Sequence, residues 1–136
     1  MDWAALTTWI LTASGGLTML TIWLRNGGLR QRGRGAIRAI AILLHFTLAA
    51  SGLVVWIAFV ATGTTALAWV AFVLLIGVAS IGVAMLNLWI GQRGGAEPPQ
   101  RAPAEQRFPV TIVSLHGTLA AATLVLVFLA SAGVGT

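Results

Sequence analysis

The chain has 136 residues, 58% of them hydrophobic and only 8% charged, with a net charge of +5 and no cysteine. A soluble domain carries roughly a quarter of its residues as charged side chains, so a soluble fold is excluded and an integral membrane protein in contact with the lipid bilayer is expected. The missing cysteines exclude disulfides, iron–sulfur clusters, thiolate zinc sites and covalent haem attachment.

Four apolar segments follow one another along the chain, at about 3–24, 36–61, 66–90 and 108–132. Each exceeds the roughly 20 residues that a helix needs to cross a hydrocarbon core. The first begins MDW, with arginines after it and none before it. That pattern is unlike a signal peptide and suits a retained helix. The three connections differ: 25–35 is rich in Gly and Arg, 62–65 is a short polar turn, and 92–107 is rich in Pro, Gly and Arg and reads as a loop. The expected fold is all-α, a transmembrane four-helix bundle running up-down-up-down as one transmembrane domain.

All eight basic residues are arginines, Arg25, Arg30, Arg32, Arg34, Arg38, Arg93, Arg101 and Arg107, and all fall in the first and third connections. In a four-span protein those connections share a side, which the positive-inside rule makes cytoplasmic. Both termini then face outward, and a bacterial inner membrane is the expected location. This clustering is a topology signal and gives no ground for nucleic-acid binding.

The only two histidines lie in nearly identical words, LHFTLAA at 44–50 and LHGTLAA at 115–121. The similarity extends further, because MLTIWL at 19–24 matches MLNLWI at 85–90 in Met, Leu and Trp. The offset is 66 residues for the first and third segments and 71 for the second and fourth. The chain thus reads as two tandem two-helix repeats, about 3–61 and 66–132, related by an axis along the membrane normal. His45 lies seven residues beyond Arg38, and His116 nine beyond Arg107. At helical rise both sit roughly 10–14 Å past the arginines, in the inner half of the bilayer.

Two ionisable side chains at one membrane depth are costly and point to function. On diagonal helices of a bundle they face each other across roughly 14 Å between axes, given helix spacings near 10 Å. That gap suits imidazole–iron–imidazole with a porphyrin between the helices. A bare ion would lack further ligands, since zinc takes three or four from the protein, whereas haem supplies four nitrogens and needs two axial ones. Small residues should flank the plane: Ala49 and Gly52 at i+4 and i+7 from His45, and Ala120 and Thr123 at the same offsets from His116. Gly16 and Gly82 are repeat equivalents near histidine depth. Arg38 and Arg107 are candidate partners for haem carboxylates. Thr47 and Thr118 recur and are read as bonding to helix carbonyls. Met19 and Met85 could serve as soft ligands but are read as packing or haem-contact residues, and most of the tryptophans, especially Trp3, Trp23 and Trp89, as interface anchors.

Two histidines on parallel diagonal helices of a membrane bundle resemble the membrane cytochromes b, including the haem-bearing anchor subunits of respiratory enzymes and the b561-like proteins. The resemblance is one of architecture and two ligands. The b561 type and respiratory cytochrome b generally use four ligands for two stacked haems; two ligands here imply one haem b, with His45 and His116 axial. The implied function is electron transfer between a quinone or membrane pool and a partner subunit on the cytoplasmic side, as a redox subunit more than as a stand-alone enzyme, with homo-oligomerisation open. The alternatives are haem sensing, storage or delivery, a chlorophyll-type pigment on the same histidines, a small transporter, and a cofactor-free assembly or scaffold subunit.

Overall fold

The computed structural model describes residues 1–30, 37–93 and 102–135. Arg32, Arg34 and Arg101, and residue 36 at the expected start of the second segment, lie outside the described residues. The described chain forms four long helices, α1 (Asp2–Arg25), α2 (Ala39–Thr62), α3 (Thr65–Gln92) and α4 (Val110–Ser131). All four are long and apolar enough to cross a membrane.

The breaks between helices have local causes. Gly63 ends α2 in the left-handed conformation, at φ 69°, with its N–H donating to Phe59 O at 2.8 Å. A glycine accepts that conformation without a Cβ penalty, and α3 restarts two residues later. Helix α4 begins at Val110, not at 108, because Pro109 is extended at φ −62° and ψ 130° and forms its N-cap. Helix α2 begins at Ala39 because Arg38 is extended, at ψ 140°. The third connection, expected as plain loop, contains a 3-10 turn, Ala104–Arg107, whose Ala104 and Glu105 are buried.

The closest helix pairs are α1 with α4 and α2 with α3, followed by α3 with α4 and α1 with α2. At one end, the Met1 ammonium donates to Gly135 O and Trp56 Nε1 donates to Asp2 O, beside the Gly63 turn. At the other, Trp89 Nε1 donates to Glu105 O at 2.9 Å and Gln106 pairs with Gln92. We refer to these as the turn end and the arginine end.

Hydroxyls within the helices bond back to the carbonyl one turn earlier, as Thr7 does to Trp3, Ser14 to Ile10, Thr47 to Leu43 and Ser80 to Ile76, all at 2.8–2.9 Å. An unsatisfied polar group in hydrocarbon costs several kcal/mol, so this local bond is what allows threonine and serine to face lipid.

The main cluster of buried residues lies in the turn half of the bundle. It comprises Ala5, Trp9, Trp56, Phe59, Ala68, Ala71, Leu75, Val78, Val127 and Ala130. Trp9 and Trp56 lie 6.4 Å apart between centroids, and Phe59 is 4.8 Å from Trp56. Towards the arginine end, each helix has a stretch with no buried residue: 13–22 in α1, 39–51 in α2, 79–88 in α3 and 110–122 in α4. Beyond that band the bundle closes again over Trp23 and Trp89. These two tryptophans are therefore not interface anchors. Trp23 is fully buried with Gly28 stacked on its indole, and Trp89 lies under the Arg93 guanidinium, 4.6 Å from the ring centroid. Trp3, 72% exposed, does face outward.

Candidate functional site

His45 on α2 and His116 on α4 meet inside this loosely packed band. Their ring centroids are 6.4 Å apart, with the planes inclined at 58°. Neither ring is held by its own helix. His45 Nδ1 lies 3.0 Å from Val78 O on α3, and His116 Nδ1 lies 2.9 Å from Thr12 O on α1. A carbonyl only accepts, so in each pair Nδ1 carries the proton and donates. In a neutral imidazole this leaves Nε2 as the nitrogen with a lone pair. A bond from Nδ1–H to a carbonyl is the arrangement that fixes tautomer and ring orientation in metal-ligating histidines.

The glycines explain how a carbonyl and a ring can come this close. A Cβ built on Gly16 would lie 3.2 Å from His116 Cε1, and one on Gly82 would lie 3.2 Å from His45 Cε1. Any larger side chain at either position would occupy the imidazole's space. Gly15 adds a second contact on the α1 side, where its Cβ would be 3.4 Å from His116 Cβ.

The two halves of the site share one internal numbering relation. Thr12 and Val78 are separated by 66 positions, as are Gly16 and Gly82, while His45 and His116 are separated by 71. These are the offsets of the repeated words in the sequence. The orienting carbonyls, which accept from the two rings, were not legible there, because a backbone oxygen has no letter; the offset was the only available clue.

The other expected site residues fall into three layers. Ala49 and Ala120 are half-buried on the helices that carry the histidines. Gly52 and Thr123 lie a turn farther towards the turn end, within the packed core. Gly52 gives room to Trp9, whose Cζ2 would be 3.0 Å from an added Cβ. Thr123 donates to Leu119 O, and its hydroxyl is 3.3 Å from that of Thr12. Arg38 and Arg107 are exposed at the arginine end, Arg38 lining a groove of about 290 Å³ between α2 and α3 together with Ala41 and Met85. A matching groove of about 290 Å³ between α1 and α4 reaches His116 past Ser14, Gly15 and Thr18.

Among the described residues no group of three or more His, Cys, Asp or Glu side chains is placed to hold a metal ion. The site offers two imidazole nitrogens and no carboxylate.

Comparison with known protein families, with characterised proteins and with solved structures finds no match to this chain. The functional reading rests on the site itself.

Proposed function

We propose that this chain is a membrane cytochrome that carries one haem b between His45 and His116 and passes electrons between a membrane pool, such as quinone, and a partner subunit. The observation that carries the proposal is the pair of imidazoles, each oriented by a backbone carbonyl, facing each other inside a band that side chains leave loosely packed. Two imidazoles bound end-on to one first-row metal ion, with bonds of about 2.0–2.1 Å, hold their centroids roughly 6–6.5 Å apart. The observed 6.4 Å falls in that interval. An ion held by these side chains alone would have two protein ligands, too few for zinc. A tetrapyrrole supplies the remaining four nitrogens, and bound haem iron supplies a one-electron couple.

The residues of the chain divide the work. His45 and His116 would ligate, with the Thr12 and Val78 carbonyls holding the correct nitrogen inward. Gly16 and Gly82 keep the rings free of steric contact. Ala49 and Ala120 provide small surfaces beside the ligands. Arg38 and Arg107 stand at the end where anionic groups would be favoured. With His45 and His116 both engaged as ligands, outer-sphere electron transfer is the chemistry this ligand set would support.

In the same reading the chain runs up-down-up-down as two tandem hairpins and lies in a bacterial inner membrane. The arginine end is cytoplasmic and both termini are outside, because the arginines lie in the connections at that end. The haem then sits in the inner half of the bilayer. The native chain has no cysteine, so single cysteines at Leu29 and Thr64 should be labelled by an impermeant thiol reagent from opposite sides of right-side-out vesicles.

The deciding experiment is the reduced-minus-oxidised absorption spectrum of the purified protein, beside His45→Ala and His116→Ala. A sharp low-spin b-type spectrum, lost or turned high-spin in each variant, is expected. A colourless protein after expression with ample haem would overturn the cytochrome reading and leave a cofactor-free assembly subunit or a transporter.

A further inference from the structure

The haem reading uses the two imidazoles of the loosely packed band and leaves its two thioethers aside. Met19 on α1 and Met85 on α3 are both half-buried, and 66 positions separate them. Each follows by three residues the glycine that abuts a histidine, so each stands one turn on along the same side of its helix. The contacts run in one order on both helices. Towards the arginine end, α1 brings the Thr12 carbonyl to His116 Nδ1, then Gly16 beside Cε1, and then Met19. Helix α3 brings the Val78 carbonyl to His45 Nδ1, then Gly82 beside Cε1, and then Met85. In an imidazole the ring atom after Cε1 is Nε2, the nitrogen that keeps its lone pair here. The step from glycine to methionine is about 4.5 Å along the axis, and an unbranched side chain with three rotatable bonds can span it. Met85 lines the groove between α3 and α2, the helix that carries His45.

Two imidazoles and two thioethers form a soft, uncharged donor set. Thioether donors select Cu(I), and imidazole suits copper as well. The charge of the ion is limited too. None of the chain's three acidic side chains lies in the four stretches of the band. No carboxylate would offset the ion there, and the cost of burying a charge rises with its square, so a monovalent ion is favoured over a divalent one. The centroid spacing of 6.4 Å fits one ion between two end-on imidazoles, whether or not a macrocycle surrounds it.

We propose that His45, His116, Met19 and Met85 form a binding site for one Cu(I) ion in the chain that carries no tetrapyrrole. The site uses the nitrogens that the haem reading uses, so the two ligands exclude each other. It does not rest on that reading.

The test is an anaerobic titration of the full-length, haem-free protein with Cu(I) in competition with a chromophoric Cu(I) chelator, beside the same titration with Zn(II). Wild type should take one Cu(I) per chain and compete poorly for Zn(II). His45→Ala and His116→Ala should each lose the ion. Met19→Leu with Met85→Leu keeps the side-chain volume and removes both sulfurs. It should weaken Cu(I) at least as much as the loss of an outer-shell partner does, about 10–100-fold, while haem uptake and the bis-histidine spectrum stay as in wild type. A wild type that leaves Cu(I) with the chelator, binds Zn(II) as tightly, or holds Cu(I) equally well in the histidine variants overturns the proposal and leaves the cytochrome reading standing. A double leucine variant with undiminished Cu(I) affinity overturns the four-ligand site. A protein that binds Cu(I) as expected but stays colourless with ample haem overturns the cytochrome reading alone. Should the histidine variants fail to fold, X-ray absorption at the copper edge of the wild type decides: nitrogen and sulfur ligands are expected, and a shell without sulfur overturns the proposal.

Discussion

The two halves of this bundle solve the same packing problem in opposite ways. In the turn half, large aromatic side chains fill the interior: Trp9 fits against Gly52, Trp56 stacks near Trp9 and Phe59, and Ala5, Ala68 and Ala71 are fully buried beside them. In the arginine half, the interior positions carry glycine, histidine and alanine, and no residue is buried over ten or more consecutive positions in any of the four helices. Glycine serves both halves, but to different ends. Gly52 yields space to a tryptophan that completes a core, whereas Gly16 and Gly82 yield space to imidazoles that protein alone leaves loosely surrounded. The comparison teaches that one half is held by its own side chains, whereas the other is the half in which the cytochrome reading proposed above would place the haem.

The difference can be broken most sharply at the glycines of the arginine half. Gly16→Leu or Gly82→Leu places a branched side chain where a mere Cβ already lies 3.2 Å from a histidine. Haem uptake should fall to background in either variant, while circular dichroism keeps its helical signal. A variant that loads normally would show that the rings do not need this space. Next in size is Trp9→Ala or Trp56→Ala, each expected to cost about 3–5 kcal/mol of stability. The loss should appear in thermal unfolding in detergent, with the spectrum of the loaded protein unchanged. A large spectral change with little loss of stability would invert the assignment of the two halves.

Gly52→Ala is a gentler probe of the filled half. Its new methyl would meet Trp9 Cζ2 at 3.0 Å, and overpacking of this kind costs about 1–3 kcal/mol. The same substitution at a loosely packed site should cost less, so Gly77→Ala, with nothing within 4 Å of its Cβ, is the matched control. The smallest expected effect is at the seam between the halves. Thr12→Val removes the hydroxyl 3.3 Å from Thr123 but leaves the Thr12 carbonyl that holds His116. A loss near 0.6 kcal/mol is expected, the average for such bonds between membrane helices. A marked change in haem affinity would show that the hydroxyl, and not only the carbonyl, positions the ring.

The sequence by itself determined a good deal. Hydropathy and length are properties of composition along a segment, so four spanning helices were legible without any knowledge of contacts. The similar words at 44–50 and 115–121 marked both histidines, and the 66-residue offset between 19–24 and 85–90 marked Gly16 and Gly82 as partners, since an offset is visible in the letters. What only the tertiary structure decided concerns which neighbour each group meets. It gave the histidines their carbonyl partners on α3 and α1, because backbone atoms are common to every residue and carry no signal in the sequence. It moved Trp23 and Trp89 from the expected membrane interface into the closed end of the bundle, because an amphipathic ring near a helix end satisfies either environment and only packing chooses between them. And it drew the line between a half with a buried cluster and a band with no buried residue, because burial depends on the shapes of four helices at once and no single segment contains that information.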